Sequence, residues 1–396
     1  MKKLLLIAAL GGLFAATAAQ AQVSIYVCGS TAFRSNAYRA IRSMFDGGAP
    51  TSQNTLGSAN NSGAGQMTFQ GKITPLFSSQ TVTIFCDWTG SAQGIHSLTA
   101  TPGDSLPFLS IPTQGDTTIV NHTADLAFSD VFQLTTGFNT PTLTDEQVAI
   151  QPFVWVRSVN ASTAITNITS QQLKFALQGS CPLSYLTGNT NDYNVDGLGN
   201  TITNKTVWFT GRNKDSGSRL IALADARYSG SVSIYEATNG VQWNLMTSHQ
   251  VVNGVDYFQG FSSGGQEANT FISTAPASAG SGVGYIAYAD ARTVVGGGGQ
   301  IINYNGGLPF KGWAGTTNGF DVPDFTPVTS GQYSMWGPEH LFINPSGANF
   351  ASAFPVFTNL ATYVDLDVSN TVPATAIRLS AMGNTFRQAD GAVISP

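Results

Sequence analysis

Hydrophobic and polar positions follow a repeating order along this chain: a short apolar run, a turn of small residues, then a helical stripe. Residues 23–27 form a brief β-prone run that ends at Cys28, Gly29, Ser30 and Thr31. Directly after it, Phe33, Ala37, Ile41 and Phe45 recur at every fourth position, one apolar face of a helix. The order returns at 81–85, where a strand-like run precedes Asp87, Trp88, Thr89, Gly90 and Ser91 and a helix starts near Ala92. It returns again at 206–209, before Thr210 to Ser218 and a helix carrying Leu220, Leu223 and Ala224. Strands alternating with helices predict an α/β chain, not an all-β one.

Other segments fill in the frame. Residues 124–128 read as a short buried strand ending in Ser129 and Asp130, and 147–159 as a strong strand around Phe153 to Val156 that crosses between lobes. Residues 169–179 read as a helix capped by Thr169 or Ser170 and stopped by Gly179. Residues 282–289 form another β-prone run. Two stretches without periodicity, 47–65 and 188–205, read as surface insertions. In the second, Asp192, Asn194, Asp196 and Gly197 match the opening of a calcium loop, while Thr203 stands where a bidentate Glu belongs. That leaves two readings, a weak calcium loop and an uncoordinated Asx-rich turn.

Composition narrows the class. Of the 396 residues only 10% are charged, with a net charge of −5, and 42% are hydrophobic, enough to build a core and exclude disorder. A mildly acidic chain without a basic run past its first residues offers nothing to a phosphate backbone, so no nucleic-acid partner is expected. The length suggests two domains. Lys2 and Lys3 precede an apolar run, Leu4 to Ala16, closed by Ala19, Gln20 and Ala21, the form of a signal peptide over 1–21 with a mature start at Gln22. The run is shorter than a membrane-spanning helix needs, so a periplasmic or secreted product is expected. Such a compartment permits a disulfide, and Cys28 with Cys86 is one pairing, but three cysteines cannot all pair. Buried reduced thiols are the alternative reading.

The chemistry lies in the turns. Helix N-termini present free N–H groups and partial positive charge, so several that converge make an anion site. Ser30, Thr31, Ser91, Ser216 and Ser218 add hydroxyl donors, and Arg212 a guanidinium able to fork onto an oxyanion. Lys214, between Asn213 and Asp215, reads as a solvated loop residue. A carboxylate such as Asp130 beside an anion is unfavourable unless the guest donates a proton to it. An acid there would admit monohydrogen phosphate and reject sulfate. No zinc-site spacing joins the four histidines, and no P-loop occurs. One G-x-S-x-G match, 260–264, is followed by Asp290 and His340 in triad order, which gives Ser262 a reading as a nucleophile beside that of a plain glycine turn. No cofactor is expected.

Together these blocks resemble the periplasmic phosphate-binding proteins of bacterial phosphate ABC transporters, within the type II periplasmic binding protein fold. Cys28-Gly29-Ser30-Thr31-Ala32-Phe33 is similar to the family's first turn, with its Thr displaced by one. Gly90-Ser91-Ala92-Gln93-Gly94-Ile95 is similar to the second, and Ala124 to Asp130 to the third, whose last Asp accepts the phosphate proton. Arg212 with Ser216-Gly217-Ser218 keeps the family's fourth spacing. Gly282 to Ala289 and Tyr333 to Pro338 resemble later segments, whereas Arg34 stands where the family has Pro. The resemblance implies two α/β lobes with a hinge and an interlobe cleft, the first from 22–154 and 284–396 and the second from 155–283. It implies phosphate held by Ser30, Thr31, Ala32, Phe33, Ser91, Asp130, Arg212, Ser216, Gly217 and Ser218, in a monomer that serves a membrane permease without being an enzyme. Rival readings are a surface or matrix adhesion protein reusing the fold, and an exported phosphatase or esterase.

Overall fold

A computed structural model describes residues 22–100, 104–238, 242–246, 250–252, 255–257, 260–273, 276–312, 323–371 and 374–395. The expected signal peptide lies outside them. Strands β1 (Val23–Gly29), β4 (Thr81–Asp87) and β5 (Leu126–Ser129) are parallel, with β1 in the middle. An antiparallel pair, β2 (Ser52–Thr55) and β3 (Gln66–Lys72), extends the β4 edge. Part of the 47–65 stretch is thus an edge strand. Its polar sequence hides a strand whose partners, not whose side chains, define it.

Strand β6 (Thr144–Arg157) joins the two halves of the molecule. Its first part pairs antiparallel with β10 (Trp336–Ile343), which also pairs with β5. Its last residues, Phe153 to Arg157, pair antiparallel with β8 (Ser281–Ala287), and residues 155–157 also with β9 (Gln300–Tyr304) on the other side. The last ten residues of β6 are all buried, as expected of a strand covered on both faces. Strand β7 (Thr206–Phe209) runs parallel to β8. Two cores flank this shared strand. In the first lobe, Ile25, Val27, Phe33 and Ile41 pack with Val356 and Leu360 on one face of the sheet, and Cys28, Ile95 and Leu98 on the other. In the second, Trp155, Phe209, Ile221, Phe271 and Tyr285 form one cluster.

The helices follow from their apolar stripes. Helix α1 (Arg34–Met44) buries Ala37, Ile41 and Met44, the predicted face. Helix α2 is Ser91–Thr99, and α3 (Ser170–Ala176) begins at Thr169 in a reciprocal capping box with Gln172. Helices α4 (Gly217–Ala226) and α5 (Gly264–Ile272) follow. Next, α6 (Tyr288–Gly296) begins inside what reads as one β-prone run, and α7 is Phe350–Asn370. The boundary drawn at 284 falls within β8. Residues from Tyr285 to Trp336 pack with the second core, and the chain rejoins the first at Leu341 and Ile343.

Register also decides the cysteines. In the β1–β4 pairing Cys28 lies opposite Asp87 and Cys86 opposite Val27, a one-residue offset that puts the two thiols on opposite faces of the sheet. All three cysteines are free and buried, so the Cys28–Cys86 bridge does not form. The 188–205 stretch closes on itself. Asp196 Oδ1 accepts the backbone N–H groups of Leu198 and Asn200 at 2.8 Å each, Asp192 accepts from Thr187, and Asn194 donates to Thr206. The described residues hold no group of three or more His, Cys, Asp or Glu placed to share a metal ion, and the Asp196 contacts are those of an Asx turn.

Candidate functional site

Parallel strands β1, β4 and β5 end side by side, and a cleft at the carboxyl edge of such a sheet, beside a central strand whose neighbours connect in opposite directions, is where α/β folds bind ligands. Gly29 holds φ at +114°, and a side chain there would collide with the Phe128 backbone. Gly makes possible the close approach that lets Ser30 N–H donate to Phe128 O at 2.9 Å. Ser30 Oγ then accepts from Phe33 N–H at the start of α1. The Phe33 ring is buried in the first core against Phe128, so this residue reaches the cleft only through its backbone.

Ser91 opens α2. Its hydroxyl donates to Asp130 Oδ1 and accepts from Asp130 N–H at 3.3 Å, which ties the ends of β4 and β5 together. From the second lobe, Arg212 follows β7. Its Nε donates to Phe261 O at 2.9 Å, and its Nη2 to Ser262 O at 2.8 Å and, across the cleft, to Thr31 Oγ1 at 2.9 Å. Ser216 caps α4 in sequence position, and its hydroxyl bonds that of Ser218 at 2.8 Å. Ala32 packs against the second core although it belongs to the first lobe.

The two walls touch. Ala92 N–H donates to Asp215 O at 3.0 Å, and a methyl placed on Gly217 would lie 2.6 Å from Ser91 Oγ and 2.8 Å from Asp130 Oδ2. The first turn of α4 therefore rests on the Ser91–Asp130 pair. Of the ten residues named from the sequence, Ser30, Thr31, Ser91, Asp130, Arg212, Ser216, Gly217 and Ser218 are buried where these turns pack together, Ala32 packs against the second core, and the Phe33 ring lies in the first. Lys214 is exposed, as its neighbours suggested.

Two carboxyls escaped sequence reasoning. Glu339 on β10 is fully buried, and burial, with the charge of Asp130 beside it, pushes its carboxyl well above the usual range. Glu267 on α5 is equally buried, with neither oxygen hydrogen-bonded; burial pushes it up while the charge of Arg212 opposes. Asn213 is also buried with its amide N and O unpartnered. Nothing local to a lone Glu signals such burial.

The triad reading fails on geometry. Ser262 Oγ donates to Gln266 Oε1 at 2.6 Å, and the His340 ring bonds Asp145 across the β10–β6 pairing. Asp290 instead approaches Gly264 so closely that a side chain there would collide with its carboxylate.

The described residues form an α/β protein with one large mixed sheet and two main core clusters, which meet at the turns carrying Thr31, Ser91, Asp130 and Arg212. No family model and no curated protein matches the chain. Among solved structures it is similar to a putative phosphate ABC transporter substrate-binding protein with bound phosphate from Clostridium perfringens, at 11% identity and a TM-score of 0.48, over 90% of this chain and 99% of that one. It is similar also to PstS from Borrelia burgdorferi, at 14% identity and a TM-score of 0.37, over 87% and 97% of the two chains. An ABC-type phosphate transport receptor from Vibrio cholerae stands at 14% and 0.39, over 86% and 98%. No helix among the described residues is long and apolar enough to cross a membrane.

Proposed function

We propose that this protein is an exported solute-binding protein that captures inorganic phosphate between its lobes for delivery to a membrane permease. The observation that carries the reading is the convergence of donors from both lobes: Arg212 reaches Thr31 across the cleft while the α4 N-terminus meets Ser91 and Asp130. Ligand that touches both walls binds the closed form better than the open one, and so favours closure. Ser30, Thr31, Ser91, Ser216, Ser218 and the Gly217 N–H serve as short donors, Arg212 as the cation, and Asp130 as the acceptor that selects a protonated oxyanion. The site binds; no step of turnover is required.

Titration calorimetry of the mature chain with phosphate and with sulfate tests this. Phosphate is expected to bind and sulfate not, with Asp130→Asn narrowing the difference. Equal heats for both anions would remove the acceptor role, and no heat for phosphate would remove the reading altogether.

A further inference from the structure

Beside the anion site the two lobes enclose a cavity of about 240 Å³, lined by Arg34, Asp87, Trp88 and Thr89 from the first lobe and Ser262 and Gln266 from the second. It borders that site along three chain segments. Arg34 follows Phe33 at the start of α1. Asp87 to Thr89 lead from β4 to Ser91. The Ser262 carbonyl is one of the acceptors that hold Arg212. At ~30 Å³ per water the space equals about eight waters, ample for a second group of phosphoryl size.

Its wall is rich in donors. Trp88 Nε1, which can only donate, is buried without a hydrogen-bond partner, while the Asp87 carboxyl has the Gln66 amide and the Thr89 hydroxyl beside it. Burial pushes the Asp87 carboxyl up to about 8, so at neutral pH it carries a proton and is itself a donor. Arg34 adds a guanidinium, whose pKa burial lowers while Asp290 on α6 opposes that shift and Arg212 adds to it. A buried donor left unpaired costs about 1–3 kcal/mol, and an apolar guest leaves these groups as they are. Anionic oxygens pair with them.

We propose that this cavity is a second anion subsite, and that the ligand class is a phosphate carrying a second oxygen-rich anionic group, of which pyrophosphate is the simplest. The proposal rests on the phosphate reading of the first site. Pyrophosphate, like monohydrogen phosphate, keeps a proton near neutrality and so satisfies Asp130; a monoester dianion with a neutral substituent has none to give.

Calorimetry with orthophosphate, glycerol 3-phosphate and pyrophosphate tests it. Pyrophosphate is expected to bind at least about tenfold more tightly than either other probe, a gap equal to one good charge-assisted pair. Arg34→Gln should remove that advantage and Trp88→Phe, which keeps the ring and deletes the N–H, should reduce it, with orthophosphate affinity unchanged in both. Orthophosphate as tight as pyrophosphate, or glycerol 3-phosphate equal to it, overturns the subsite and leaves the first reading standing. No binding of any probe overturns the first reading, and the subsite with it.

Discussion

Replacing Gly217 by Ala tests lobe closure with a single methyl. Alanine keeps the N–H offered to an anion and adds one carbon, placed 2.6 Å from Ser91 Oγ and 2.7 Å from the Asp130 carboxyl carbon. Carbon–oxygen contacts settle near 3.5 Å, so the walls must part by about 1 Å. That stretches the Arg212–Thr31 bond from 2.9 Å and the Ala92–Asp215 bond from 3.0 Å, both to beyond hydrogen-bonding range. The first is charge-assisted, worth about 1.5–3 kcal/mol, and the second about 0.5–1.5 kcal/mol. Closure thereby weakens by about 2–4.5 kcal/mol, and phosphate affinity should fall by between about 30-fold and about 2,000-fold. The lobes themselves should not suffer, because Ala favours a helix over Gly by up to about 1 kcal/mol. Calorimetry with phosphate, paired with thermal unfolding without ligand, separates the two effects. Affinity within about threefold of the parent would refute the docking argument, as would a melting temperature that falls in step with binding.

Three further outcomes follow from particular side chains. Arg212→Lys should lower phosphate affinity by about 10- to 100-fold in calorimetry, since one ammonium cannot reach Phe261 O, Ser262 O and Thr31 Oγ1 together. Asp87, near 3.9 when unfolded and about 8 when folded, binds more protons in the native state between those values. Stability should therefore fall as pH rises from about 4 to about 8, by at most ~1.4 kcal/mol per unit, and level off above. Urea unfolding at pH 5 and pH 8 should show that slope in the parent and a shallower one in Asp87→Asn. A thiol reagent should label Cys28, Cys86 and Cys181 only after unfolding, and prior reduction should change nothing.

What the sequence made legible is local. Strand, glycine turn and hydroxyl-bearing helix start are encoded within about ten residues each, so β1 with α1, β4 with α2 and β7 with α4 could be read from periodicity and turn chemistry. Quantities set by distant partners could not. The Cys28–Cys86 bridge looked possible because both residues end similar runs, and it fails on a one-residue register known only from the pairing. Edge strand β2 looked like an insertion because Ser52 to Thr55 carry no apolar alternation. Tyr288 continued an apolar run that in fact turns into α6, since strand and helix patterns coincide over so few residues. Glu267 and Glu339 carry no local signal of burial, since Glu is ordinarily exposed, and only the packed structure puts them beside Arg212 and Asp130.

The Ser91–Asp130 hydrogen bond sharpens how the proposed site would choose among oxyanions. As the chain stands, the carboxylate of Asp130 is served by the Ser91 hydroxyl. A guest seated over the α4 N-terminus competes for that hydroxyl proton. Monohydrogen phosphate can take it and return one of its own to Asp130, so the number of hydrogen bonds is kept on both groups. Sulfate has none to return: it either leaves Ser91 where it is and loses a donor, or takes the donor and leaves a buried carboxylate facing an anion. The second course costs about 1–3 kcal/mol for the unpaired acceptor and more for its charge, so the exchange alone supplies at least about a tenfold preference. Ser91 then supplies a donor to either guest, and Asp130 reads the proton. Ser91→Ala should weaken phosphate binding and leave the sulfate gap open, whereas Asp130→Asn, whose amide can donate, should close the gap from the sulfate side. Calorimetry that found the gap closing in Ser91→Ala as well would show that the hydroxyl, not the acid, reads the proton.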